Sequence, residues 1–186
     1  MIERLPQFIC HDVLQCSDFS QLQKNLGINS SQKAMDSFIK NMDGMREYPV
    51  ILLCLGEGIQ CHEWIKYISN NLSNWTIQCH GLRHIKHDKL SNTELFDSLS
   101  TAKKRLEDAF GVEITTFYPP YRRLKGITRS IVQQAGMEID GKHVHIHKRA
   151  SKWKITGRLD FHYWSRRDMK YMTRILSELR RAKNDN

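Results

Sequence analysis

The chain has 186 residues, 40% of them hydrophobic, with 29 Lys and Arg against 20 Asp and Glu and a formal net charge of +9. That length supports one domain with its own core, and 7 Phe, 6 Tyr and 4 Trp exclude a disordered tail. No apolar run approaches the roughly 20 residues needed to span a bilayer, which excludes a helical membrane protein. The segment Met1–Pro6 lacks the charge, apolar stretch and cleavage site of a secretory leader, so the expectation is a cytoplasmic protein, acting on an intracellular precursor or released by lysis. The five Cys form no C-x-x-C pair and read as reduced, mostly buried thiols. The positive charge, concentrated in Arg122-Arg123, Lys148-Arg149, Arg166-Arg167 and Arg180-Arg181, suits an anionic partner or simply a solvated surface.

In chain order, Gln7–Cys10 reads as a first buried strand ending at His11-Asp12. Ser17-Asp18 opens a short helix through Phe19, Leu22 and Leu26, stopped by Gly27. Ser30 or Ser31 caps a second helix with Ala34, Phe38, Ile39 and Met42 at helical spacing. Val50–Leu55 is continuously apolar between Pro49 and Gly56, the pattern of a strand buried on both faces. His62–Leu72 carries Trp64, Ile65, Ile68 and Leu72 on one helical face, and Trp75–Cys79 is the next strand. Ser91-x-x-Glu94 is a capping box before Leu95, Leu99, Ala102, Leu106 and Phe110, with Gly111 as the stop. Glu113–Phe117 reads as a strand broken by Tyr118-Pro-Pro-Tyr121. A helix from Thr128 to Gly136, strands at Met137–Ile139 and His143–His147, a strand at Leu159–His162 and a last helix from Arg166 to Arg181 complete the series.

Such alternation predicts a single α/β domain over 1–186 with a parallel sheet, closed as a barrel or open, and a C-terminal helix from about residue 166 to 182. Functional groups in these folds gather at the C-terminal ends of strands. His11-Asp12, His80, Tyr118-Pro-Pro-Tyr121 and His162 all fall at such ends. Asp12, His80 and His84 offer one carboxylate and two imidazoles, a donor set that leaves positions open on a divalent ion. Zinc is the first choice, with cobalt, iron, nickel or manganese as alternatives. Such an ion acidifies water and polarises a carbonyl, and the reaction then needs a base and an acid, for which His11 and His162 are available.

At these residues the chain resembles the metal-dependent polysaccharide deacetylases, over most of residues 7–165. The family's Thr-Phe-Asp-Asp-Gly strand end is similar to Ile9-Cys-His-Asp-Val13, its next strand to Ile51-Leu-Leu-Cys-Leu-Gly56, and its His-Thr/Ser-x-x-His motif to His80-Gly-Leu-Arg-His84. Its Arg-Pro-Pro-Tyr motif resembles Tyr118-Pro-Pro-Tyr121, and its Leu-x-His motif resembles Leu159-Asp-Phe-His162 with one extra residue. The resemblance implies a deformed, here incomplete, (β/α) barrel that removes acetyl groups from N- or O-acetylated carbohydrate. It makes Asp12, His80 and His84 the metal ligands, His162 the general acid and the Tyr121 backbone N–H an oxyanion donor. His11 stands where the family has an Asp base, and Tyr118 where it has the Arg that holds that Asp. The family's Asp-Trp segment has no clear counterpart; Lys152-Trp153 is a poor one. Tyr118, Pro119, Pro120 and Trp164 are then candidates for substrate contact, with Tyr163 and Trp164 as a stacking platform for a sugar ring.

Other assignments compete. His87 could replace His84 if residues 80–87 were helical, and His143, His145 and His147 could form a second metal site on one strand face. Glu57 could stand in for the acidic group of the first strand. A degenerate deacetylase fold that binds a glycan or nucleic acid without catalysis, and a basic nucleic-acid-binding domain, are the alternative functions; the latter leaves the histidines unexplained.

Overall fold

A computed structural model describes residues 7–15, 27, 30–122, 129–140, 158–163 and 165–184. The expected helix after Ser17, the His143–His147 segment, Lys148-Arg149, Lys152-Trp153 and Trp164 lie outside the described residues. Among the described residues, six strands form one parallel sheet in the order β5-β4-β3-β2-β1-β6. They are β1 (Gln7–Val13), β2 (Val50–Cys54), β3 (Trp75–Cys79), β4 (Thr116–Phe117), β5 (Glu138–Ile139) and β6 (Arg158–His162). The helices are α1 (Ser31–Met42), α2 (His62–Ser69), α3 (Asn92–Phe110), α4 (Arg129–Gln134) and α5 (Arg166–Asn184). This is the α/β parallel architecture the alternation predicts. Among the described residues β5 and β6 are the two edges of the sheet.

Side-chain alternation divides the strands between two apolar layers. Phe8, Cys10, Val50, Leu52, Cys54, Ile77, Cys79, Leu159 and Phe161 point into the main core, where the buried stripes of α1, α3 and α5 pack. Ile9, Ile51 and Leu53 point the other way and meet Tyr118 in a smaller cluster. All five β2 residues are buried, which accounts for its unbroken apolar run. α3 forms as its sequence dictates, with Ser91 and Glu94 closing a reciprocal capping box and Gly111 ending the helix at φ 66°.

β4 is shorter than the expected Glu113–Phe117 strand. The α3 side chains take the backbone groups that strand pairing would use: Lys103 Nζ donates to the Ile114 carbonyl at 2.6 Å, and the Ile114 N–H donates to Glu107 Oε1 at 2.9 Å. Pairing therefore begins only at Thr116.

Two glycines set the approach of the loop after β2. A Cβ on Gly56 would sit 2.9 Å from Ala102 Cα, so its absence lets the loop lie on α3. A Cβ on Gly58 would come within 2.1 Å of the Leu14 carbonyl oxygen, which ties this loop to the chain just past Asp12. Gly58→Ala should therefore destabilise the protein by about 1–3 kcal/mol through overpacking. Urea unfolding measures this, and an unchanged midpoint would contradict the contact.

Candidate active site

Backbone bonds continue stepwise past the strand ends and fix the loops that carry the polar groups. Leu55 N–H donates to Val13 at 2.9 Å, His80 N–H to Cys54 at 2.8 Å, Tyr118 N–H to Cys79 at 2.8 Å and Asp140 N–H to Phe117 at 2.9 Å. Each loop is thereby anchored to its neighbour before it diverges.

The end of β1 is irregular. Its register with β2 shifts between Cys10 and Val13, and Asp12 and Leu14 adopt φ values of 60° and 63°. An Asp accepts the left-handed conformation more readily than most residues; a Leu does not, and holding it costs on the order of 1–3 kcal/mol. The extra residue re-aims the strand end, and Asp12 lies buried there.

Two imidazoles from the loop after β3 converge on that carboxylate. His80 Nε2 is 3.6 Å and His84 Nε2 3.1 Å from Asp12 Oδ1. Gly81 makes the turn between them possible: it sits at φ 97°, and a Cβ there would fall 2.4 Å from the His87 ring. His87 fills the space under the turn, with Nδ1 3.0 Å from the Ile85 carbonyl. The segment 80–86 is not helical, so the helical face that would have made His87 a ligand in place of His84 does not form. Glu57 lies in the 3-10 turn Gly56–Gln60, where its N–H donates to Leu82 at 3.0 Å.

The His80 tautomer follows from its surroundings. Nδ1 is 2.6 Å from the Tyr118 carbonyl, which can only accept, so Nδ1 carries the hydrogen. Nε2 is then a bare lone pair, buried without a hydrogen-bond partner and facing Asp12. A buried lone pair of this kind, beside a carboxylate and a second imidazole, is what a divalent ion takes up, and a carbonyl bonded to the far ring nitrogen is the usual support for such a ligand. The donor set fits zinc-type ions.

His162 reaches the other oxygen, with Nε2 3.9 Å from Asp12 Oδ2. It is held from behind by Asp168 Oδ2, which accepts from His162 Nδ1 at 2.9 Å and from its backbone N–H at 3.0 Å. Asp168 was not foreseen from the sequence. The signal available was Ser165-x-x-Asp168, a helix-start pattern immediately after the His162 strand: Ser165 Oγ accepts from the Asp168 N–H at 3.2 Å, while the Asp168 carboxylate turns to His162.

His11 lies on the same side. Its ring stacks on His162 at 5.0 Å between centroids and meets His80 and Tyr118 edge-on at 5.9 and 5.5 Å. One of its ring nitrogens lies within 4.8 Å of ligand atoms of both Asp12 and His80. Its Nε2 is 3.7 Å from Asp160 Oδ2, a second carboxylate with no role foreseen from the sequence.

The structure thus brings together Asp12, His80, His84, His11 and His162. Tyr121 stands beside them, half exposed at φ 58°, its ring 4.6 Å from that of His84. Tyr118, Pro119 and Pro120 are buried and support the site from below. Tyr163 is fully buried against Phe38 and Trp64 at 5.3 and 6.3 Å, so it packs the core and is no platform for a sugar; its ring alternates away from the His162 face.

Burial pushes the Asp12 carboxyl up, yet it is held well below its ordinary value, with the His84 imidazole 3.1 Å from Oδ1 the partner able to donate to it. Burial depresses His80 to about 4 against a partial pull from Asp12, and burial with the nearby His80 depresses His87 to about 4. Both imidazoles are neutral when folded and take a proton near 6.5 when unfolded, so their contribution is complete above pH 6.5. It is lost as pH falls from 6.5 toward 4, by up to roughly 3 kcal/mol per imidazole, with Asp12 adding to the loss at still lower pH. Urea unfolding of the metal-free protein across pH 7.5 to 4.5 should show the midpoint falling with pH; a flat profile would contradict neutral burial of these rings.

Comparison with known proteins gives the site a context. The sequence profile of the polysaccharide deacetylase family matches residues 60–139, a stretch that holds His80, His84 and Tyr121 but neither Asp12 nor His162. No curated protein sequence matches the chain. In fold, the chain is similar to a family 4 carbohydrate esterase from Streptomyces lividans in complex with acetate, at 12% identity and TM-score 0.63, covering 96% of this chain and 89% of that one. It is similar too to the peptidoglycan deacetylase PdaC from Bacillus subtilis, at 13% identity and TM-score 0.61, covering 96% and 85%. A mutant of a CE4 family pseudoenzyme also shares the fold, at 14% identity and TM-score 0.50, covering 75% and 45%, so the fold by itself does not decide activity. By profile over residues 60–139 and by fold over nearly its whole length, the chain is similar to the polysaccharide deacetylases.

Proposed function

We propose that the protein is a metal-dependent hydrolase that removes acetyl groups from N- or O-acetylated carbohydrate, with Asp12, His80 and His84 holding the ion, zinc in the first instance. The observation that carries this reading is the convergence of His80 Nε2 and His84 Nε2 on one buried Asp12 oxygen, with His162 on the other. A bound divalent ion supplies Lewis acidity and makes water nucleophilic near neutral pH. The chain's own residues supply the rest. His11 takes a proton from the attacking water. His162, fixed by Asp168 with Nδ1 as donor, presents Nε2 to give a proton to the leaving amine or alcohol. Tyr121 offers its backbone N–H to the developing oxyanion, and its exposed ring, in place of Tyr163, offers a face to a sugar.

A second reading has an observation of its own. The His11 nitrogen within 4.8 Å of the Asp12 and His80 donors would give a fourth protein ligand, and a site closed by four protein ligands binds metal without catalysis. The chain would then be a glycan-binding member of the fold.

Acetate release from N-acetylated chitooligosaccharides and from acetylated xylan, with zinc or cobalt added, separates the two. The hydrolase reading predicts turnover that is abolished in His80→Ala and lowered on the order of 100-fold in Asp168→Asn with KM little changed. Turnover unchanged in His80→Ala would sink the assignment. Full metal occupancy with no acetate from either substrate would favour the binding reading.

A further inference from the structure

We propose that Asp160 is the positioning residue of His11: its carboxylate holds the imidazole as the Nε2–H tautomer and leaves Nδ1 as the proton acceptor of the site. This deepens the hydrolase reading and rests on it for the use to which His11 is put, but the pairing itself stands on geometry. β1 and β6 pair in parallel with Ile9 opposite Asp160 and His11 opposite His162. Alternation then sets Ile9, His11, Asp160 and His162 on one face of the sheet, so a diagonal contact between His11 and Asp160 is built into the register.

The need for a partner comes from burial. The His11 side chain is 7% exposed and its Nε2 has no hydrogen-bond partner. A buried polar nitrogen left unsatisfied costs on the order of 1–3 kcal/mol. Asp160 Oδ2 stands 3.7 Å from that nitrogen, and Asp160 is more open, at 21% exposure. The separation is just beyond a direct hydrogen bond, and a small rotation of the Asp160 carboxyl brings the two atoms within reach. A carboxylate cannot donate, so linkage to Asp160 puts the hydrogen on Nε2 and the lone pair on Nδ1. The same ring stacks on His162, which is fixed by its own acid, Asp168. The two stacked imidazoles thus each have a separate carboxylate, one for the ring that accepts a proton and one for the ring that gives it.

The test has three readouts on the full chain. Ring nitrogen NMR of the metal-free protein reads the tautomer directly. His11 should show a protonated Nε2, and Asp160→Asn should shift the His11 ring signals while leaving those of His80 and His162 in place. Acetate release from N-acetylated chitooligosaccharide should fall on the order of 10- to 100-fold in kcat in Asp160→Asn, less than the 10²–10⁴ carried by a whole general base, with KM unchanged and partial rescue by Asp160→Glu. In a His11→Ala background, Asp160→Asn should cause no further loss. Zinc affinity measured by calorimetry should be the same in wild type and Asp160→Asn. Unmoved His11 ring signals, or an equal loss in the His11→Ala background, would overturn the proposal. So would a drop in zinc affinity, which would make His11 a ligand. If the wild-type chain releases no acetate at all, the hydrolase reading fails while the NMR result still decides the pairing.

Discussion

A charged carboxylate buried at the end of β1 is the constraint on which the rest of the arrangement depends. Asp12 is 5% exposed, and a buried charge is tolerated only where opposite charge, hydrogen bonds or a metal compensate it. Three imidazoles from two chain segments, the loop after β3 and the end of β6, face its two oxygens. Placing them there demands the strained backbone at Asp12 and Leu14, the left-handed Gly81 over the His87 ring, and a Tyr118 carbonyl set to lock His80. Local strain concentrated around one polar cluster is the signature of a site held for function rather than for stability.

Much of the frame was legible in the sequence because each helix and strand carries its own local signal. The apolar run at Val50–Leu55 and the capping box at Ser91 and Glu94 appear in the structure as read. The Glu113–Phe117 strand is shorter than its β-branched residues suggest because the Ile114 backbone is claimed by Lys103 and Glu107 from α3, a tertiary competition that propensity cannot show. The site was legible as a list: strand ends carried His11-Asp12, His80 and His162. Tyr163 was misread since its neighbour His162 lies on the polar face and alternation sends Tyr163 to the core. Asp160 and Asp168 were invisible as partners, because pairing across strands and around a helix start depends on register and capping geometry rather than on residue type.

His11 is a departure from the motif that the first strand end resembles. The resemblance implies an Asp at this position held by an Arg, and here an imidazole sits beside Asp160 over a buried Tyr118. The two changes are consistent with each other, since without a carboxylate at residue 11 no guanidinium is needed at residue 118 to hold it. His11 also brings a nitrogen close to the ligand atoms, so the same substitution that can preserve proton transfer can close the metal position. The profile match does not extend to residue 11, and the functional question is therefore concentrated at one side chain.

The most direct measurement is calorimetric titration of the metal-free protein with cobalt, joined to the visible absorption of the bound ion. The account predicts one equivalent bound in a low-symmetry site of nitrogen and oxygen donors. Affinity should fall at least 100-fold in Asp12→Ala, His80→Ala and His84→Ala and stay unchanged in Lys104→Ala on the exposed face of α3, with circular dichroism showing the fold retained throughout. Binding that survives in Asp12→Ala at wild-type affinity would contradict the claim that this buried carboxylate and its imidazoles form a metal centre.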